Sequence, residues 1–302
     1  MIHREHKDRL FSFLFGSEQH KEWTLSLYNA VNGSAYDNPS NITITTIGEV
    51  IYMGMKNDVS FLISDILNIY EQQSTFNPNM PIRMFMYAGR LYDKYIHMNR
   101  KNIYSSSLVH LPAPRMVVFY NGLDGSDDTI LKLSDAFALE EPSATNIHHT
   151  EYDIEVNVRM INVNYGHNQS LMEQCRPLAE YAWLIDRIRT NTVSMEIEEA
   201  VDNALKEMPD SFQIRTVLLA NKAEVKNMCI TEYNESETML MFKEEGRKEG
   251  RKEGQIEGRK EAEAMFGKLM SLLLAKGLTE DAKKASVDKD FRIALYKEYG
   301  IL

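Results

Sequence analysis

The chain reads as an α/β amino half followed by an all-helical carboxyl half. Three observations predict this. Short β-branched or apolar runs bounded by turn residues lie before residue 170, and a long helical pattern separates them. Beyond Gln169 only the helical pattern continues. Of 302 residues, 43% are apolar and 26% charged, the balance of a folded protein. The expected organisation is an α/β domain over 1–169, a helical region over 170–242, and a charged, glycine-repeated helical tail with a small helical cap over 243–302.

Residues near Asp8–Phe15 and from about Glu18 to Val31 carry helical spacing, and Asn32-Gly33 ends the second segment. Ile42–Ile47 is β-branched throughout and predicts a strand. Val59–Ile63 and Ile66–Gln73 predict two more, separated by Ser64-Asp65. A helix is expected from about Met80 to Asn99, with Pro81 suited to its first turn. Its apolar side is read as Met84, Phe85, Ala88, Leu91, Tyr92, Tyr95 and Met98. Met116–Tyr120, closed by Asn121-Gly122, and Ile154–Val163 are the remaining expected strands. Helices follow over about 170–189, 194–207, 211–227 and from 232 onward.

The tail holds one plain repeat, with Gly246, Gly250, Gly254 and Gly258 four residues apart. Between Lys243 and Glu263 seven basic side chains face seven acidic ones. Such charge spacing supports helix, while each glycine costs about 0.8–1.0 kcal/mol relative to alanine. A solvated helix or linker and a close-packed pairing between subunits are both compatible with this pattern. Phe266–Ala275 and Phe291–Tyr299 are amphipathic and suit a small cap.

Lys plus Arg number 34 against 44 Asp plus Glu, a net charge of −10. This argues against a polybasic nucleic-acid coat but permits a local basic patch. No run approaches the ~20 apolar residues of a membrane helix. The charged start, MIHREHKDRL, lacks the apolar core of a secretory signal. Cys175 and Cys229 are too few for a disulfide scaffold or a cysteine zinc site, so a reducing cytoplasm is expected.

The segment from Asp58 to Gln73 carries the chemistry. If Ser64-Asp65 is a two-residue turn, Ile63 pairs with Ile66 and Asp58 falls opposite Glu71. Opposed residues share a sheet face, and Gln73, two residues on, shares it too. Two adjacent carboxylates repel unless a cation lies between them, and Mg²⁺ takes such oxygen ligands. The next helix brings a basic face: Arg83, Arg90, Lys94, His97 and Lys101 lie in one stripe, with Tyr87 between the first two. From Asn79 to Lys101 five Lys/Arg meet one acid, Asp93, which suits a bound polyanion. His148-His149 with the acids beyond them form a weaker metal candidate.

These residues resemble the Rpn family of recombination-promoting nucleases and putative transposases, within the PD-(D/E)XK nuclease superfamily. The matching runs are Asp8-Arg9-Leu10-Phe11 with Phe15-Gly16 and Leu25–Ala30, then Asn57-Asp58-Val59. The most specific is Glu71-Gln72-Gln73-Ser74 followed by Met80-Pro81-Ile82-Arg83 and Tyr87. The charged repeat tail resembles those of many members. The resemblance implies a restriction-endonuclease-like core, a mixed central sheet flanked by helices, and Mg²⁺-dependent cleavage of DNA phosphodiesters, with Mn²⁺ as an alternative ion. It makes Asp58 and Glu71 metal ligands, with Glu22, or in competition with it Glu18, as a third from the first core helix. It puts Gln73 in the place of the superfamily's catalytic lysine, where Gln can orient water but not carry charge. It makes Arg83 a phosphate contact, with Tyr87, Arg90 and Lys94 beside it on the DNA. A homo-oligomer through the carboxyl-terminal helices is expected. A second class of function stands beside the nuclease: a catalytically silent DNA-binding or protein-interaction module that keeps the fold.

Overall fold

A computed structural model describes residues 9–46, 58–123, 128–137 and 152–301. Asp8, Asn57, most of the acidic loop after Leu123, and His148-His149 lie outside them. The chain divides into two compact units, Met1–Glu237 and Thr238–Leu302.

The first unit is built on a six-stranded mixed sheet. Its strands are β1 (Ile42–Ile44), β2 (Val59–Ile63), β3 (Ile66–Gln73), β4 (Ala113–Tyr120), β5 (Thr129–Lys132) and β6 (Asn157–Asn162), in the order β1-β2-β3-β4-β6-β5. β3, β4 and β6 run parallel, while β1, β2 and β5 pair antiparallel with their neighbours. The β2–β3 hairpin has the expected register, from Val59 opposite Tyr70 to Ile63 opposite Ile66. Ser-Asp lacks the glycine that tight hairpin turns favour, and Ser64 itself takes the left-handed conformation, φ 51°. β3 is buried along most of its length, as a central strand covered on both faces must be.

α3 (Met80–Met98) covers one face of the sheet. It packs Met84, Tyr87 and Leu91 against Leu67, Ile69, Val118 and Met160. Phe85 and Met98, expected on its apolar side, are exposed, whereas Tyr87 is fully buried. On a helix Tyr87 lies about 40° from Arg83 towards Met84 and Leu91, at the border of the basic and apolar stripes. Packing settles which stripe it joins.

The other face carries α1 (Leu10–Phe15), α2 (Lys21–Asn32) and α5 (Arg176–Thr192), with α6 (Ile197–Glu207), α7 (Arg215–Ala220) and the start of α8 (Lys222–Ala275). Leu10, Phe15, Leu27, Val59, Phe61, Tyr70, Phe119, Leu178, Leu205 and Val225 share one core. The change of composition near residue 170 therefore marks a change of secondary structure within a single core. The helix expected over 170–189 is broken at Cys175 into α4 (Gln169–Gln174) and α5, because Pro177 has no N–H with which to continue the ladder. Cys175 and Cys229 are free and buried, as expected of small apolar residues. β5 was not expected: four residues at a sheet edge are too few to display alternation.

The second unit holds the end of α8 with α9 (Thr279–Val287) and α10 (Lys289–Glu298). Leu269, Leu273, Ala282, Ala285, Leu295 and Tyr296 form its small core, the expected cap. α8 is helical through all four repeat glycines.

The strained turn gives a direct test. Ser64→Gly removes the cost of a left-handed side chain, so urea denaturation is expected to show a gain of about 0.5–1 kcal/mol. An unchanged midpoint would mean that Ser64 is not held at positive φ.

Candidate functional site: a buried carboxylate pair

The hairpin register brings Asp58 and Glu71 together. Asp58 precedes β2, and its backbone N–H donates to Glu71 Oε2 at 3.1 Å. Asp58 Oδ2 accepts from the Gln72 N–H at 2.7 Å, replacing the ladder partner that β2 does not yet supply. Glu71 is 1% exposed, on the face covered by α3.

Two arginines supply the cationic charge that this pair requires. Arg83, in the first turns of α3, forms an ion pair with Glu71 Oε1. Its Nε and Nη2 also donate to the Tyr87 hydroxyl, at 3.3 and 2.9 Å, so residues four apart on α3 act together. That hydroxyl lies 3.5 Å from Glu71 Oε1. Arg9 approaches from the start of α1. Its Nη1 donates to the Gln72 carbonyl at 2.9 Å and lies 3.9 Å from Asp58 Oδ2.

Burial pushes the Glu71 carboxyl up to about 8, and the neighbouring Asp58 adds to the shift. Arg83, Arg9 and the Asp58 N–H pull the other way. Burial also raises the Tyr87 hydroxyl, as does Glu71. Burial opposes the charge on Arg83, but Glu71 and Tyr87 hold it above its usual value.

Gln73 lies on the same side of β3 as Glu71, next to Tyr120 of β4, and is half-buried. Its carbonyl accepts from Asn121, and its side chain makes no hydrogen bond among the described residues. Glu22 is not brought to the pair. It lies on α2, across the sheet from α3, with its side chain 55% exposed and His20 at 3.8 Å. Among the described residues no three His, Cys, Asp or Glu are grouped to hold a metal ion. Arg90 and Lys94 are exposed on α3, and Lys94 Nζ donates to the Thr45 carbonyl at 3.2 Å. Tyr87, expected to face DNA, turns inward to Glu71 instead.

Sequence reasoning missed Arg9, although it lies in a run that carries the resemblance. It also missed the polar chain on the opposite face. There Gln72 Nε2 donates to Asn121 Oδ1 at 2.7 Å, and Asn121 Nδ2 donates to the Tyr181 hydroxyl at 3.2 Å. Two successive polar residues, Glu71-Gln72, in a strand buried on both faces are the signal that could have found it, because each needs a buried partner. Gly122 keeps these strand ends close: a Cβ there would lie 2.7 Å from the Ser74 carbonyl.

No family model, curated protein or solved structure matches the chain.

The raised Glu71 carboxyl fixes the sign of a pH effect. The folded state holds this proton to higher pH than the unfolded chain, so stability falls as pH rises from about 5 towards 8. Glu71→Gln removes the titration. The stability of the wild type relative to the Gln variant should therefore decline across that window in parallel denaturation curves. A flat difference would show that Glu71 is ionised throughout.

Proposed function

We propose that the protein is a Mg²⁺-dependent nuclease acting on DNA phosphodiesters. The observation that carries this reading is the opposition of Asp58 and Glu71 across a hairpin, next to a helix with an exposed basic stripe. The donor set suits a hard divalent ion. It offers the Asp58 and Glu71 carboxylates and the Gln72 carbonyl, and the last already receives a cationic group from Arg9 beside Asp58. Two protein carboxylates are a common complement for Mg²⁺, with water and substrate phosphate completing the shell. Asp58, Glu71 and the Gln72 carbonyl would hold the ion, which when bound would polarise the phosphoryl oxygen and lower the pKa of a bound water.

The chain's own residues have separable tasks. Arg83 offsets the charge of Glu71, and Tyr87 fixes the plane of its guanidinium. Gln73 can orient a water by hydrogen bonding but cannot carry the charge of a lysine. Arg90 and Lys94 meet the phosphate backbone as exposed cations, a contact that positions DNA without reading its sequence. No helix among the described residues is long and apolar enough to cross a membrane. The glycine-marked stretch of α8 is the proposed surface for self-association.

A second reading has an observation of its own. Glu71 Oε1 is paired with Arg83 and Oε2 with the Asp58 N–H, so the carboxylate is satisfied without a metal. This favours a silent DNA-binding module.

Plasmid nicking separates the two. The nuclease reading expects cleavage with Mg²⁺, none with chelator, and a loss of at least about a hundredfold in Asp58→Ala and Glu71→Gln, the scale at which lost charge stabilisation counts. Equal nicking by all three proteins, or none by any, would contradict it.

A further inference from the structure

Ile103 and Tyr104 form the tip of a turn in the segment that joins α3 to β4. The Ser105 N–H donates to the Asn102 carbonyl at 3.2 Å, and the Tyr104 N–H donates to Asn102 Oδ1 at 3.0 Å. The far end of the segment is pinned to the fold. The Tyr92 hydroxyl donates to the Pro112 carbonyl at 2.9 Å, and the Ala113 N–H donates to the Asp65 carbonyl at 2.8 Å. Turn tips favour Gly, Pro, Asn, Asp and Ser. This tip is Ile-Tyr, and Tyr104 is 92% exposed. Leu108 is 82% exposed, and Ile103 is more than half exposed. A lone exposed apolar residue is ordinary, but three held outward on one short segment mark a contact surface.

The charge of the segment says what covers it. From Lys94 to Leu123 the sequence has no Asp or Glu, in a chain of net charge −10, and it carries Lys94, Arg100, Lys101 and Arg115. Arg100 follows the end of α3 at φ 50°. Its N–H bonds to the His97 carbonyl at 3.1 Å, and the Lys101 N–H bonds to the Ile96 carbonyl at 3.0 Å. Glycine is the usual residue at such a left-handed helix end, and here a cation occupies it. Arg90, Lys94 and His97, exposed on α3, lead towards it. A cationic path that ends at an exposed aromatic tip complements a nucleic acid strand, with phosphates on the cations and a base on the ring. A purely apolar partner would leave the acid-free run unexplained. Paired bases hide their faces in the duplex stack, so the ring can take only an unpaired base.

We infer that this segment binds single-stranded DNA, with an unpaired base stacked on Tyr104, apolar contact from Ile103 and Leu108, and phosphates on Arg100 and Lys101. The inference rests on the DNA binding that the nuclease and the silent module share, and it names the strand form that is bound. The segment joins the sheet where Ala113 pairs with Ile66. Ile66 is five residues from Glu71 along β3, roughly 17 Å. A strand with a nucleotide every ~3.4 Å covers that distance in about five nucleotides.

Fluorescence anisotropy of a labelled oligonucleotide, as a single strand and as its duplex, tests this on the full-length protein. Chelator is present throughout, so cleavage plays no part and a failed nuclease reading leaves the outcome unchanged. The single strand is expected to bind about fivefold or more tightly than the duplex, the effect of one stacked base. Tyr104→Ala should remove most of that preference, and Leu108→Ser should reduce it; both positions are exposed. Arg100→Gly separates binding from folding. It relieves a left-handed side chain, so the urea midpoint should rise while affinity falls severalfold and depends less on salt. Duplex bound as tightly as the single strand, or the full preference kept in Tyr104→Ala, would overturn the inference. So would unchanged affinity in Arg100→Gly. Plasmid nicking that persists beside either result would spare the nuclease reading. Absence of oligonucleotide binding would also overturn the inference, and an oligomeric mass lowered by Tyr104→Ala would then assign the tip to a second copy of the chain.

Discussion

The Glu71–Arg83 pair, a hydrogen bond to a neutral carboxyl below about pH 8 and an ion pair above it, is the interaction on which the site and its half of the sheet depend. A polar group at 1% exposure cannot stand without a partner in a protein interior. Leaving a buried partner unsatisfied costs about 1–3 kcal/mol, more for a charged one, against the ~5–15 kcal/mol that holds a domain together. The pair therefore ties α3 to β3 where Met84, Tyr87 and Leu91 already tie it by packing. It also explains why Tyr87 belongs to the core: its hydroxyl is a polar partner that the ion pair needs on its apolar side.

Charge is arranged on both sides of β3. Asp58 and Glu71 share the positive charge of Arg83, from the α3 side, and of Arg9, from the start of α1. On the α5 side, Gln72 continues through Asn121 to Tyr181, and Arg189 gathers the ends of β4 and β6. The alternation of a strand sends Glu71 and Gln72 to opposite faces, so one dipeptide links two polar centres through one backbone. The apolar layers around them, Val59 and Phe61 on one face and Ile69 and Val118 on the other, keep water from screening either. A chain of net charge −10 thus concentrates cationic groups where two carboxylates and two strand ends meet.

Much of this was legible in the sequence because it is local. The β-branched runs at 59–63 and 66–73 and the two residues between them fixed the hairpin register, and the register alone places Asp58 opposite Glu71. The helix after Pro81 was legible from its spacing. What was not legible depends on distant packing. Tyr87 sits at the border of two helical stripes, and only the sheet beneath it decides which way it turns. Arg9 reaches Gln72 across 63 positions, and Arg189 reaches Asn121 across 68; neither spacing has a period. Glu22 was expected near the pair from a resemblance, but α2 packs on the other face of the sheet.

Under the proposed function, Asp58, Glu71 and the Gln72 carbonyl hold a divalent cation, and Arg9 and Arg83 balance the carboxylates in its absence. Paramagnetic broadening by Mn²⁺ tests it most directly. On stepwise addition of substoichiometric Mn²⁺, the amides of residues 58 and 71–73 should broaden before those elsewhere, and Asp58→Ala should abolish that selectivity. Uniform broadening of exposed acidic residues, with 58 and 71–73 unaffected, would contradict the claim and leave the two arginines as the permanent partners of the carboxylates.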